Sequence, residues 1–275
     1  MGTTLATEFD IVECELKGLL PNAGYRGLVD IFEDGIGAAG NIKESTIVVY
    51  NKAGNKYALY NVSSAEVLGV FDHNDPNGPM GVSQLEEVGA VVKFSLSGGI
   101  AEVFVFNGDG LKMQVLKFDQ DAFDQINIPE GPLGAYDDEV LLTSNFFAES
   151  SNFPFAGSGI DAAVRLPSSV ASPSKTLLFS SNGSEFMQTL RRDGKMINFP
   201  SQSNSDFPGT PGSLFDKIGA GARIFFGNGT EQLLLINDTG DQMLYWEGDV
   251  KTGSNDFQLN DSTVEGSFSG VRLLK

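Results

Sequence analysis

Lys93, Arg165, Arg223 and Arg272 recur at one place in four similar short apolar strands, and Asn41 holds that place in a fifth. Cations at equivalent positions of a repeated unit could converge on a carboxylate or phosphate, because a guanidinium offers paired donors matched to an oxyanion. The same placement would serve to pair each cation with a carboxylate on the neighbouring unit and so fix how the units dock. Both readings stand on the sequence alone.

Oxygen ligands for a hard cation are grouped in two places. The run from His73 to Gln84 puts Asp75, Asn77 and Gly78 at the third, fifth and sixth places of a calcium loop. His73 stands where Asp is expected, and the twelfth place is Gln84 rather than a bidentate Glu. Asp119, Asp121 and Asp124 form a second acidic run, a pattern that also arises freely on a solvated loop of an acidic chain. Calcium is the one cofactor these groups suggest.

Catalytic signatures are sparse. His73 is the single histidine, so a Ser-His-Asp or Cys-His mechanism would have to use it, from a loop rich in Asn, Pro and Gly. Neither G-x-S-x-G nor H-E-x-x-H occurs. Gly35, Gly37 and Gly40 spell G-x-G-x-x-G, but the following NIKESTIVVY reads as strand where a dinucleotide site needs a helix N-terminus. These glycines fit close backbone packing better. Paired carboxylates for glycoside hydrolysis meet only in space, and their abundance here singles out no pair. Five Asn-x-Ser/Thr sequons, at Asn61, Asn182, Asn228, Asn237 and Asn260, fit turn chemistry.

The elements that must position these residues form a repeat. An apolar run, a polar turn with glycine and a second strand recur at 45–61, 101–119, 175–190 and 231–246, aligned on Asn51, Asn107, Ser181 and Asn237. The first turn, Lys52-Ala53-Gly54-Asn55, supplies the positive φ of a tight hairpin, and the second repeat reverses at Gly108-Asp109-Gly110. Each hairpin is preceded by its own opening strand, and Gly270–Lys275 reads as a fifth copy of that strand. Paired with strands near the N-terminus, it would close a ring and remove an exposed edge.

The expectation is therefore an all-β chain forming one β-propeller domain. Five blades are expected, with four as the alternative: repeats at about 38–89, 90–159, 160–218 and 219–269, and a composite closing blade of 1–37 plus 270–275. No amphipathic helix is evident. The spacing between the second and third repeats is longer than the others. The extra residues carry Phe146, Phe147, Phe153 and Phe155, and insertions in repeat proteins often lie on a binding face.

Ile160-Asp161-Ala162-Ala163, then Leu177-Leu178-Phe179-Ser180, and Phe207 to Pro211 before the next opening strand resemble the hemopexin-type propeller repeat. The resemblance implies binding of ions, cofactors or proteins on a four-bladed ring tied by a terminal disulfide. With Cys14 the single cysteine, that disulfide cannot form within this chain.

Asp and Glu number 36 against 18 Lys and Arg, a net charge of −18 that repels phosphate backbones and argues against a nucleic-acid partner. No run of about 18 apolar residues suggests a membrane span, and MGTTLATEFD lacks the pattern of a signal peptide. Localisation stays open. The leading expectation is a non-enzymatic binding propeller presenting loops and a basic central channel to a small anionic ligand or a protein. The alternatives are a sugar-binding propeller, thinly supported by the single Trp246, a structural part of a secreted or particle assembly, and a carbohydrate-active enzyme.

Overall fold

The structure is a computed structural model. It describes the chain outside 1–31, 33–34, 44, 62–63, 65, 96–98, 122–130, 149–152, 154, 156, 166–175, 183–184, 193–194, 199, 204–216, 227–229, 239–242, 250–270 and 275. Among the described residues it is built almost wholly of antiparallel strands, in four sheets.

The first sheet is a meander of β1 (Ile36–Lys43), β2 (Thr46–Asn51), β3 (Lys56–Asn61) and β4 (Glu66–Asp72). The second runs β5 (Ala90–Ser95), β6 (Ile100–Phe106) and β7 (Lys112–Asp119). Its outer edge is split between β8 (Ala135–Tyr136) and β9 (Leu141–Leu142), both paired with β7. The third has β10 (Ile160–Arg165), β11 (Thr176–Ser180) and β12 (Glu185–Arg192), edged by β13 (Lys195–Asn198) and β14 (Gln202–Ser203). The fourth is β15 (Ile218–Phe226), β16 (Thr230–Asn237), β17 (Met243–Asp249) and β18 (Val271–Leu274).

First strands pack against one another in a cycle: β1 on β5, β5 on β10, β10 on β15, and β15 back on β1. This is the arrangement expected around a propeller axis. Register confirms that the repeats coincide. Ala38 faces Tyr50, Ala90 faces Phe106, Ala162 faces Phe179 and Ala220 faces Ile236. In the same frame Asn51, Asn107 and Asn237 are equivalent, but the third counterpart is Ser180, one residue before the expected Ser181.

Small residues dominate the first strands because neighbouring backbones nearly touch there. A Cβ on Gly40 would lie 2.5 Å from the Val91 carbonyl oxygen, closer than any side chain tolerates. Second strands carry continuous buried runs, as Ile47–Tyr50 and Ala101–Phe106 show. That burial explains why they read as continuous apolar runs instead of alternating patterns.

Two expectations need correction. Val271–Leu274 does not open a further sheet; it pairs with β17 as the last strand of the fourth, with Arg272 opposite Tyr245. The outer edge of β17 carries unsatisfied backbone groups of its own, and this segment satisfies them. The Phe-bearing insertion contains a short helix, α1 (Thr143–Ala148), where none was expected. Phe146 and Phe147 turn from it toward the space between the second and third sheets.

Candidate functional site

The basic positions lie in step, except one. Asn41 faces Ile47, Lys93 faces Val103, Arg165 faces Thr176 and Arg223 faces Leu233, at one level of the four first strands. Arg272 is on an outer edge strand and does not belong with them. The contacts at this level join sheets. Asn41 Oδ1 accepts from the Arg223 N–H at 2.7 Å, and its Nδ2 donates to the Arg223 carbonyl, so one amide side chain replaces a ladder pair between the first and fourth sheets. Lys93 Nζ donates to the Ile42 carbonyl at 3.1 Å and to Gln120 Oε1 at 2.5 Å, tying the second sheet to the first. Beside them Ala38, Ala39, Val91, Ala163 and Ala222 are buried. These contacts of Asn41 and Lys93 join neighbouring sheets.

Residues read as metal ligands are occupied otherwise or dispersed. Asp75 Oδ1 accepts from the Asn77 N–H at 2.8 Å, a local turn in which the carboxylate serves the backbone. His73 is not on a mobile loop: it is buried, its Nε2 lies 3.0 Å from the Leu85 carbonyl oxygen, and its ring meets Tyr50 edge-on. Burial lowers its pKa below 6.5, opposed by the Leu85 contact. Asp119 and Asp121 are exposed at the far end of β7, and Asp124 lies outside the described residues. Among the described residues no three His, Cys, Asp or Glu side chains form a metal-binding group.

The phenylalanines are interior. Phe147 and Phe155 are fully buried, and Phe146 and Phe153 are half-buried, among Phe104, Phe106, Ile160, Leu178 and Met187. Phe146 meets Phe104 edge-on with ring centres 5.1 Å apart, and Phe153 stacks on Phe147 at 5.2 Å. They fill the wedge between the second and third sheets. Between the first and second sheets the equivalent space is taken by Met80, Leu85 and Val88 from the preceding loop. An exposed docking face made of these four rings is thereby overturned.

An open cleft lies elsewhere, at the end of the sheets where the turns after β2 and β6 meet the starts of β1 and β5; we call this the upper end. One wall is Gln84–Glu87, on a loop held in shape by its own polar side chains. Tyr57 Oη accepts from the Met80 N–H at 3.1 Å. Asn74, at φ 68°, accepts from the Ser83 N–H at 2.7 Å and donates to the Leu85 carbonyl at 3.1 Å. The loop ends where the Val88 N–H donates to the Gly54 carbonyl. Asn107 and Lys112 form the opposite wall, joined by the Lys112 N–H to Asn107 Oδ1 bond of 2.8 Å.

Val140 and Leu142 supply the aliphatic surface of a cleft of about 490 Å³. Gln114, buried within β7, joins these parts. Its Oε1 accepts from Ser83 Oγ at 3.0 Å and the Gln84 N–H at 2.9 Å, while Nε2 donates to the Asp137 carbonyl at 2.8 Å. Gln84 Nε2 in turn donates to the Asp138 carbonyl at 2.9 Å. Sequence reasoning passed over this cleft. Its one local signal was Gln114 itself, a polar residue inside the apolar run Met113–Leu116.

A second charged group sits at the upper end near the axis. Asp161 occupies the bulge of β10, where β1 and β15 carry Gly37 and Gly219 at theirs and Gly89 directly precedes β5. Burial pushes its carboxyl up to about 6, Lys217 and Lys52 pull it down, and Asp238 adds to the rise. Both lysines bond to carbonyls across sheets, Lys217 Nζ to Ser181 at 3.0 Å and Lys52 Nζ to Asp238.

No family model matches the sequence, and no curated protein matches it. Among solved structures, the chain is similar to an exo-β-1,3-galactanase from Phanerochaete chrysosporium at 11% identity, covering 86% of this chain and 48% of that one, with a TM-score of 0.43. It is also similar to the Kuenenia stuttgartiensis hydrazine synthase at 11% identity, 88% and 49% coverage and a TM-score of 0.33. The WD40 domain of Toxoplasma gondii coronin matches at 9% identity, 75% and 43% coverage and a TM-score of 0.31. The chain spans about half the length of these structures.

Proposed function

We propose that this chain is a four-bladed binding propeller that engages its ligand on the upper face, in the cleft at the junction of the first two sheets. The cycle of four first strands supports four blades over five, since β15 reaches β1 directly and β18 finishes the fourth sheet. The preformed cleft carries the functional reading. Its walls come from separate segments, and a buried glutamine ties the Ser83–Gln84 wall to the Asp137 loop by three hydrogen bonds. Fully satisfied buried polar networks of this kind set one geometry and resist collapse. A concave site with a few placed polar groups over an apolar surface suits ligand recognition.

The upper cleft is preferred here to a basic axial channel because the contacts of Asn41 and Lys93 run between sheets, to Arg223 and to Ile42. A glycan reading gains little, since among the described residues the cleft lining is aliphatic and polar, without an aromatic face for a sugar to stack on. The test is amide chemical-shift mapping of the full chain against a library of short peptides and simple glycans. Perturbations should concentrate at Gln84–Glu87, Asn107–Lys112 and Val140–Leu142. Shifts confined to the opposite end of the sheets or to the axis would overturn the proposal.

A further inference from the structure

We infer that the upper cleft is built for a protein segment pairing a Lys or Arg side chain with an adjacent aliphatic one; this rests on the proposal that the cleft is the binding site. The cleft is chemically divided. Glu86 and Glu87 are exposed, adjacent in sequence and both line the cleft from the wall that begins at Gln84. Leu142 is 51% exposed and Val140 is half-buried beside it, and Leu111 at the hairpin tip is 39% exposed. An isolated exposed Leu is ordinary, but Val140 and Leu142 line the cleft together, and Leu111 immediately precedes Lys112 of its opposite wall.

The aliphatic surface is also fixed. The Thr143 N–H donates to the Leu111 carbonyl at 2.9 Å, and Leu142 pairs with Lys112 in the sheet. A partner residue therefore meets a preformed apolar surface without first ordering it, which lowers the entropic cost of binding.

Charge selects the other half of the partner. The whole molecule carries −18, so the approach of a cation is favoured from any direction, and the rim glutamates give that attraction a destination. Lys112 on the opposite wall repels a second cation and favours a carbonyl or carboxylate there. The occupant is thus a segment with one basic residue at the glutamate wall, an aliphatic residue over Val140 and Leu142, and neutral or acidic chemistry toward Lys112. A uniformly basic strand satisfies only the first of these.

General attraction between cations and an acidic protein must be separated from recognition at the cleft. Fluorescein-labelled peptides bearing Lys-Leu, Glu-Leu or Lys-Ser pairs are titrated by anisotropy against the full chain, the Glu86→Lys/Glu87→Lys variant and the Asp119→Lys/Asp121→Lys variant. The two variants change the net charge equally, the second at the far end of β7. A Leu142→Asp variant tests the apolar half, with circular dichroism confirming that each variant is folded.

The Lys-Leu peptide should bind the wild type and the Asp119/Asp121 variant within threefold of each other. It should lose at least tenfold in affinity with either cleft variant, and the Lys-Ser peptide should bind more weakly than Lys-Leu. Equal loss in both charge variants would overturn the inference. Binding of the Glu-Leu peptide that is sensitive to Leu142→Asp would refute the cationic partner while leaving the cleft as the binding site. Lys-Leu binding untouched by every cleft variant would refute both.

Discussion

Replacing Asp161 by Asn should stabilise the protein at neutral pH and remove part of its pH dependence. β1 and β15 place glycine at this bulge, Gly89 directly precedes β5, and only β10 puts a carboxyl there, half-buried. Burial raises its pKa from the ordinary 3.8 to about 6, against the pull of Lys217 and Lys52 and with a push from Asp238. At about 1.4 kcal/mol per pH unit the shift amounts to roughly 3 kcal/mol, and partial exposure with solvent screening reduces this to about 1–2 kcal/mol.

The sign follows from linkage. Between pH 3.8 and about 6 the folded chain holds a proton that the unfolded chain has released. The stabilisation from this group is therefore full below pH 3.8 and is lost as pH rises through 6. Urea unfolding of wild type and Asp161→Asn, followed by circular dichroism at several pH values from about 4 to 7.5, isolates this contribution, because titration of the other carboxylates cancels in the difference. The variant should gain about 1–2 kcal/mol relative to wild type across that range. A difference that does not change with pH, or a variant less stable than wild type at pH 7.5, would refute the reasoning.

Other outcomes follow from packing and local geometry. Phe147→Ala empties the wedge between the second and third sheets and should cost about 3–5 kcal/mol in chemical unfolding, without moving peptide affinity at the cleft more than a few-fold. Gly110→Ala forces a side chain into a φ of 68° and a Cβ to 2.1 Å from the Ile160 carbonyl oxygen. It should cost about 2 kcal/mol or more, whereas a loss below about 0.5 kcal/mol would show that the hairpin tip does not dock on β10. The His73 ring should titrate by NMR below 6.5, so this group stabilises the fold above that pH and its contribution is lost as pH falls. A midpoint at or above 6.5 would mean that the ring is solvated.

Much of the architecture was legible because it is local. The apolar runs at Ile47–Tyr50, Val103–Phe106 and Leu177–Phe179 are second strands buried on both faces, and such strands announce themselves by continuity. The step of Asn41, Lys93, Arg165 and Arg223 was readable for the same reason, since each lies at a constant distance from the alanine opposite the second strand. Arg272 was misplaced because Val271–Leu274 has the pattern of any short apolar strand. Whether such a strand lies at the axis or at an edge depends on its partner, which its own residues do not specify.

The phenylalanines were misread for a related reason. An aromatic cluster on an insertion fits a wedge filler as well as an exposed interface, and only the width of the space between sheets decides. The cleft was harder still. Gln84, Asn107 and Leu142 belong to three segments that meet only in the fold, and no spacing rule connects them.

Closure of the ring between the first and fourth sheets is the claim on which the upper face depends, and amide hydrogen exchange at Arg223 measures it directly. Its N–H is donated at 2.7 Å to Asn41 Oδ1 across the junction of those sheets. In a ring of four blades this amide should exchange as slowly as the core amides of β16, and Asn41→Ala should speed it by roughly tenfold, the equivalent of one lost hydrogen bond of about 1–1.5 kcal/mol. Fast exchange in the wild type, or a rate unaltered by Asn41→Ala, would mean that another element stands between β1 and β15 and that the ring does not close at four.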